Sequence, residues 1–400
     1  MSLPRTIRAG TRPTGLIPGA LGPRYGQMMG KRHKSGPYGY TQAKALVYSK
    51  YGNPADSSHT LHNALAPPST LLLRTLATPI NPADINQIQG VYPARPPFTS
   101  LLGTPAPSAV GGNEGCFEIL SSPAPSTNLS KGDWVIMRST GFGTWRTHAT
   151  ASPNDVIKIS NKEGLSPIQV GTVSVNPCTA YRMLRDFETL DPGAGDWFIQ
   201  NGANSGVGRA AIQFGRLWGV KSLNVIRDRP DAAATQAMKD DLLALGATKV
   251  VTESELMSRG FKDQVAEWTN GGREKIKVGL NCVGGKATQV LVKQLSSGGH
   301  LVTYGGMSKA PVELPTGLLI FKDLKFSGFW VSRWSDENPA EKKRTVDEIL
   351  EWTRKGEFKD IPVQEMRWDW NTEAEKLKEG VAGTLEGFRA GKGVFVYGDT

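Results

Sequence analysis

The 400-residue chain holds only three cysteines, Cys116, Cys178 and Cys282, and no two have C-x2-C spacing. A disulfide framework and a four-cysteine zinc module are both excluded. Histidine is also scarce: of five, only His59 and His62 lie close together, no third ligand completes a metal site, and the pair reads as part of a polar surface loop. No run of 18 apolar residues occurs, so no membrane-spanning helix is expected. The 46 glycines and 26 prolines show no G-X-Y period, which removes a collagen-like chain. What remains is 38% hydrophobic, enough for a packed core, over a length that suits two or three domains.

Acidic residues are missing altogether before Asp56, and the net charge of +10 is therefore unevenly placed. Residues 1–40 carry Arg5, Arg8, Arg12, Arg24, Lys31, Arg32 and Lys34, so ten less seven leaves +3 for residues 41–400. This Arg-rich, acid-free stretch lacks the apolar core of a secretory signal and has the composition of a mitochondrial transit peptide, with an unfixed cleavage point. Its competing reading is a basic arm for nucleic acid; removal on import would take that patch away, and no nucleic-acid partner is expected.

From Ala43 to Tyr48, and again at Leu71–Arg74 and after the turn at Lys131–Asp133, clustered apolar residues predict strands. From about residue 177 strands and helices alternate. Strands are expected at Trp197–Asn201, Leu223–Ile226, Lys249–Val251, Lys277–Cys282 and His300–Tyr304. Helices are expected over Arg209–Trp218, up to Leu245 with a stop at Gly246, over Ser254–Trp268 and over Lys286–Leu295. Such alternation implies an α/β fold with a doubly wound parallel sheet. After residue 335 come an amphipathic helix near Pro339–Lys355 and a last strand at Val394–Tyr397.

The first strand of the alternating run leads into Gly202-Ala-Asn-Ser-Gly206-Val-Gly208. A tight turn, a close approach of backbone to a pyrophosphate and a tight helix–strand crossing each demand a residue without a Cβ. The helix that follows offers its N-terminal N–H groups to phosphate. The next strand ends in Arg227-Asp228-Arg229-Pro230. Two guanidiniums suit the 2′-phosphate of NADPH, whereas Asp228 keeps a ribose contact to NADH in play.

A Rossmann unit between an N-terminal β-rich part and a C-terminal return resembles the medium-chain dehydrogenase/reductases. Zinc alcohol dehydrogenases of that superfamily carry a G-H-E motif whose histidine binds metal; here the matching segment is Gly112-Asn113-Glu114-Gly115, and no zinc ligand set is visible. Metal-free hydride transfer to a C=C bond conjugated to a carbonyl is the expectation. Five segments in family order resemble the mitochondrial 2-enoyl thioester reductases, the NADPH-dependent enoyl-acyl-carrier-protein reductases of type II fatty acid synthesis. They are Asn81-Pro-Ala-Asp-Ile-Asn-Gln-Ile-Gln-Gly-Val-Tyr92-Pro, Val175-Asn-Pro-Cys-Thr-Ala-Tyr-Arg-Met-Leu184, Gln200–Gly208, Arg227–Pro230 and Phe329-Trp-Val-Ser-Arg-Trp334.

The resemblance implies a GroES-like catalytic domain in two parts, residues 41–176 and 335–400, around an NADPH-binding Rossmann domain at 177–334. It implies that Tyr92 donates a proton and that Asn176 lies beside the nicotinamide. Asn204, Ser205, Gly206 and Val207 would form the pyrophosphate turn, and Arg227, Asp228 and Arg229 the 2′-phosphate grip. Tyr304, Gly305, Gly306 and Met307, with Phe329, Trp330, Val331 and Ser332, would close over the nicotinamide, and Lys392 would contact the cofactor. It further implies an enoyl thioester of acyl carrier protein or CoA as substrate, a homodimer and a place in the mitochondrial matrix. Cys178 and Cys282 read as packing residues, Trp330 and Trp334 as pocket or core, and the charged face at Glu341–Arg344 as solvated. Two rivals stand beside this reading: a zinc-free NADPH:quinone oxidoreductase, which shares the fold, and a non-enzymatic cofactor- or RNA-binding protein using the basic arm.

Overall fold

The strands that sequence alternation places after residue 177 must hide both faces, because helical crossovers cover each side of a parallel sheet. In a computed structural model, which describes residues 41–56, 58–64, 70–122, 128–385 and 391–400, they do so. Trp197–Gln200 is buried along its whole length. The sheet runs Lys249–Thr252, Lys221–Ile226, Trp197–Gln200, Ile276–Asn281, His300–Thr303, Lys325–Gly328 from edge to edge, and every neighbouring pair is parallel. In chain order this is 3-2-1-4-5-6. The order reverses between Trp197–Gln200 and Ile276–Asn281, where such sheets open a crevice at the strands' carboxyl ends. One apolar cluster, including Phe198, Phe214 and Val278, fills one face, and another, including Ile199, Val225 and Leu291, fills the other.

The β-rich part closes through its last strand. Lys392–Tyr397 pairs antiparallel with Leu71–Pro79 and parallel with Val363–Trp368. Cys116–Ser121, Trp134–Met137 and Val156–Lys158 extend the sheet beyond Leu71–Pro79, which also pairs with His148–Ala151. A three-stranded sheet of Ser58–Ala64, Thr41–Tyr48 and Ala109–Val110 lies beside it. The parallel sheet is thus an excursion between strands that end up side by side, and Ile80 N–H donates to Gly393 C=O at 2.9 Å across the join.

Several expectations need correction. Ser254–Trp268 is two helices, Glu253–Leu256 and Phe261–Trp268, because Gly260 takes a left-handed φ of +86° between them. His59 and His62 lie in the strand Ser58–Ala64 and not in a loop. The helix Asn176–Asp186 was not read from periodicity, since Val175–Leu184 was recognised only as a motif. The charges at Glu341–Arg344 are mostly engaged within the fold: Glu341 pairs with Arg182 at 2.9 Å, and buried Lys342 donates to the Met137 and Arg138 carbonyls at 3.1 and 2.8 Å. Residues 1–40, read as a transit peptide, lie outside the described residues.

Helices Asn176–Asp186, Gly206–Trp218 and Pro339–Arg354 meet in an aromatic cluster. Phe214 stacks on Trp218 at 5.2 Å and on Phe358 at 5.0 Å, and meets Tyr181 edge-on at 5.5 Å. This packing fixes two helices whose N-termini carry Asn176 and the glycine-rich turn. Phe214→Ala is expected to lower unfolding free energy by about 3–5 kcal/mol in urea titration; a loss below about 1 kcal/mol would show that the cluster does not set the helices.

Candidate active site

The three glycines of the turn answer three separate steric demands. Gly202 has φ +60°, and a Cβ there would lie 2.6 Å from Cys282 Sγ. At Gly206 it would lie 2.6 Å from Asn176 Nδ2, and at Gly208 2.5 Å from the Ala203 carbonyl oxygen. Ser205 caps the helix Gly206–Trp218, its hydroxyl accepting from Gly208 N–H at 3.1 Å. Gln200 Nε2 donates to the Gly208 carbonyl at 2.9 Å and to Asn224 Oδ1 at 2.7 Å, which ties the turn to the sheet. Asn204 is half-buried beside it, and the Val207 side chain points into the core, leaving its backbone to face the turn. The first N–H groups of such a helix lack intrahelical acceptors and suit an anion.

At the end of Lys221–Ile226, Arg227 is exposed and Arg229 half-buried. Burial, and then repulsion from Arg227, draw the Arg229 guanidinium below its ordinary pKa. Asp228 accepts from Ser254 N–H at 3.2 Å. Slight burial, which would raise its pKa, is outweighed by hydrogen bonds from Thr252 and Ser254, so its carboxylate is held down and committed to the end of the next strand. That leaves the paired guanidiniums as the main feature of this corner.

Tyr304 N–H donates to the Asn281 carbonyl and Met307 N–H to that of Cys282, both at 2.9 Å, which lays residues 304–307 across the end of Ile276–Asn281. Gly305 fits because a Cβ would sit 3.2 Å from Cys282 Cβ, whereas Gly306 has open space and Met307 is exposed. The Tyr304 hydroxyl is buried near Cys282 and Ser205; burial and then Cys282 push its pKa well up. Phe329 N–H donates to the Thr303 carbonyl at 2.9 Å, Trp330 caps the helix Val331–Glu337, and Ser332 is buried in its first turn. Trp334 takes the Arg182 guanidinium over its ring at 4.9 Å.

Tyr92 follows the helix Pro82–Ile88 in a loop turned by Gly90, φ +76°. The Trp330 indole N–H donates to Tyr92 Oη at 2.7 Å, with the rings edge-to-face at 5.9 Å. Two residues 238 positions apart, both singled out by motif, are thus in direct contact.

Beneath this loop lies a buried polar cluster. Asn81 Nδ2 donates to Glu114 Oε2 at 3.0 Å, and Asn81 Oδ1 accepts from the Lys392 ammonium and from Asn176 Nδ2, the latter at 3.5 Å. Glu114 Oε1 also accepts from Val175 N–H at 2.8 Å and Ser174 Oγ at 3.2 Å. Asp84 accepts from Asn81 N–H at 2.7 Å and Asn113 Nδ2 at 2.6 Å. Burial pulls Lys392 down and Glu114 up from their ordinary values, each opposed by the other's charge. Asp84 is pushed up to about 7 by burial, against hydrogen bonds from Asn81 and Asn113 and the charge of Lys392. Lys392 therefore joins Asn176 and the turn at Gly206, while Arg227 and Arg229 follow the neighbouring strand Lys221–Ile226. Sequence reasoning did not single out Asn81, Asp84 or Gln87 as site residues. Their signal was present in part: Asp84 and Gln87, three apart, share one face of a helix that Asn81 caps and whose Ile85 and Ile88 are buried.

Zinc does not fit here. Asn113, at the position of the metal-binding histidine of zinc relatives, has both amide hydrogens engaged, by Asp84 and by Gln87 Oε1 at 2.6 Å, and its oxygen accepts from Gly141 N–H at 2.7 Å. Among the described residues no cluster of three His, Cys, Asp or Glu is poised for a metal.

Comparison with known proteins agrees with this geometry. A family model described as "Zinc-binding dehydrogenase" matches residues 206–351. The mitochondrial enoyl-[acyl-carrier-protein] reductase of Yarrowia lipolytica is 48% identical over 322 residues, 80% of this chain and 82% of that protein. An NADPH quinone oxidoreductase of Kluyveromyces marxianus is 40% identical over 338 residues, 82% and 87% of the two chains. Among solved structures, an Etr1p complex with NADP and crotonyl-CoA superposes with a TM-score of 0.83 at 39% identity, covering 89% of this chain and 100% of that one. The Etr1p/Etr2p heterodimer of Candida tropicalis, a mitochondrial 2-enoyl thioester reductase, gives the same score, identity and coverage. The fold is that of the medium-chain dehydrogenase/reductases, and within it the chain belongs to the mitochondrial enoyl-[acyl-carrier-protein] reductase family.

The raised Asp84 value has a thermodynamic consequence. A carboxyl that binds its proton more tightly folded than unfolded stabilises the fold most at low pH and loses that contribution as pH rises toward the folded value. Between about pH 4, the ordinary Asp value, and about 7, wild type should lose stability relative to Asp84→Asn in denaturant titrations. Parallel profiles for the two proteins would contradict the assignment.

Proposed function

We propose that the chain reduces trans-2-enoyl thioesters of acyl carrier protein or CoA to saturated acyl thioesters with NADPH, in mitochondrial type II fatty acid synthesis. The cofactor fits the residues present: the crevice floor is a glycine turn that a Cβ would fill, and the next strand ends in two guanidiniums, Arg227 and Arg229, a pair suited to a 2′-phosphate. When bound, NADPH supplies the hydride taken up by the substrate's β-carbon. Asn204, Ser205, Gly206 and Val207 receive the pyrophosphate, and Arg227 and Arg229 the 2′-phosphate. Asp228 braces that corner through Ser254. Asn176 and Lys392 flank the nicotinamide end, and Tyr304–Met307 with Phe329–Ser332 cover it. We read the parallel sheet, residues 177–334, as the cofactor domain, and 41–176 with 335–400 as the catalytic domain.

The observation that carries the reading is the bond from Trp330 to Tyr92. An indole N–H only donates, so the phenol oxygen is the acceptor and keeps its own proton to give. Tyr92 delivers that proton to the α-carbon, and the same indole hydrogen bond steadies the phenolate that remains. Localisation in the mitochondrial matrix follows the Yarrowia relative and the acid-free residues 1–40. Association with a second copy is supported by the helix Thr316–Lys322, where Ile320 and Phe321 are 65% and 84% exposed just before the edge strand Lys325–Gly328. The Candida tropicalis relative pairs two different chains, so the like-with-like pairing is part of this proposal.

Quinone reduction is the second reading, favoured by the Kluyveromyces relative. NADPH oxidation measured with crotonyl-CoA and with a small quinone separates the two: the thioester should be the better substrate by at least about tenfold in kcat/KM, a difference of ~1.4 kcal/mol. Tyr92→Phe should lower turnover of crotonyl-CoA by about 10²-fold or more while NADPH binding is kept; near-normal turnover would remove Tyr92 as the donor. Arg229→Ala should raise KM for NADPH about tenfold and leave that for NADH little changed; equal effects on both would place the 2′-phosphate elsewhere.

A further inference from the structure

The loop that carries Tyr92 meets the body of the protein at Trp330, at Tyr51 and through one buried side chain, Gln87. Its backbone ties on the near side are short-range: Val91 and Tyr92 N–H both donate to the Asn86 carbonyl, at 3.0 and 3.2 Å. On the far side, exposed Arg95 donates to the carbonyls of Gly90 and Tyr92 at 2.6 and 3.3 Å, which closes the loop on itself, and its guanidinium lies over the Tyr51 ring at 5.2 Å. The buried attachment comes from Gln87. Its Nε2 donates to the Ala94 carbonyl, two residues beyond Tyr92, at 2.8 Å. Its amide also pairs reciprocally with Asn113, accepting at 2.6 Å and donating at 3.2 Å. Asn113 is itself fixed by the Asp84 carboxyl and by Gly141 N–H, and all three side chains, Asp84, Gln87 and Asn113, are more than nine-tenths buried.

We propose that Gln87 is a positioning residue: its buried amide pair with Asn113 sets where the Tyr92 hydroxyl stands beneath Trp330. An amide held on both edges has one orientation, so the Ala94 carbonyl has one place to go, and the six-residue stretch from Gln89 to Ala94 is pinned at both ends. Proton transfer is steep in distance and angle, and a misplacement of about 1 Å from a distant change costs on the order of 10²-fold in rate. Asn113, where zinc relatives carry a metal ligand, here serves the loop by hydrogen bonds to its two neighbours.

The inference rests on Tyr92 being the proton donor, and a double-mutant cycle keeps the two claims apart. Gln87→Met fills the same space without either hydrogen bond. Gln87→Leu likewise removes both hydrogen bonds, and it serves should the Met variant fold poorly. Either variant is expected to lower kcat on crotonyl-CoA about 10- to 100-fold with KM for NADPH and NADPH fluorescence titration changed less than about twofold. In a Tyr92→Phe background the same substitution should cost less than about twofold, because a residue acting through Tyr92 has nothing left to position. An equal loss in both backgrounds would overturn the role of Gln87 and leave Tyr92 as donor. Near-normal turnover of Tyr92→Phe alone would overturn the donor reading and this proposal with it. A weakened NADPH affinity matching the fall in kcat would also overturn it, showing a general structural defect.

Discussion

The site depends on one buried charge arrangement, the Lys392 ammonium held at Asn81 and countered by the carboxyl groups of Glu114 and Asp84. Removing one member of such a cluster leaves an uncompensated charge in a poor solvent, at a cost of about 3–5 kcal/mol. The four members come from three parts of the chain. Lys392 opens the final strand, Asn81 and Asp84 begin the helix before the Tyr92 loop, and Glu114 follows the short strand Ala109–Val110. Glu114 also accepts from Val175 N–H just before the helix that starts at Asn176. The cluster therefore sets the Tyr92 loop, the closing strand and the start of the helix at Asn176 relative to one another.

From this frame the division of labour follows. The reversal of strand order leaves a crevice that only glycine can line at three points, each for its own steric reason. Asn176 touches both sides of that crevice, being close to Gly206 on one side and hydrogen-bonded to Asn81 on the other. Trp330 reaches from the far end of the parallel sheet to Tyr92.

The alternating sheet was legible in the sequence because buried parallel strands and amphipathic helices each leave a period, and Gly246 marked a helix end that the structure confirms with φ +111°. The glycine turn was legible because its chemistry is local. The break at Gly260 was missed because apolar spacing on its two sides happens to stay in phase with one helix. The buried cluster was illegible for a deeper reason: Asn81, Glu114 and Lys392 fall in three separate motifs with nothing to link them, and only the pairing of Leu71–Pro79 with the last strand brings them together. Asn113 was noticed for what it is not, a zinc-binding histidine, whereas its actual work as a donor to Asp84 and Gln87 needed coordinates.

The central claim is that hydride reaches the β-carbon from the cofactor and a separate proton reaches the α-carbon. Reduction of crotonyl-CoA with NADPH deuterated at C4 on the transferred face, in ordinary water, tests it directly by mass spectrometry and NMR of the product. The expected result is one deuterium at C3 of butyryl-CoA and a solvent-derived hydrogen at C2. Deuterium at C2, or butyryl-CoA carrying none, would contradict it.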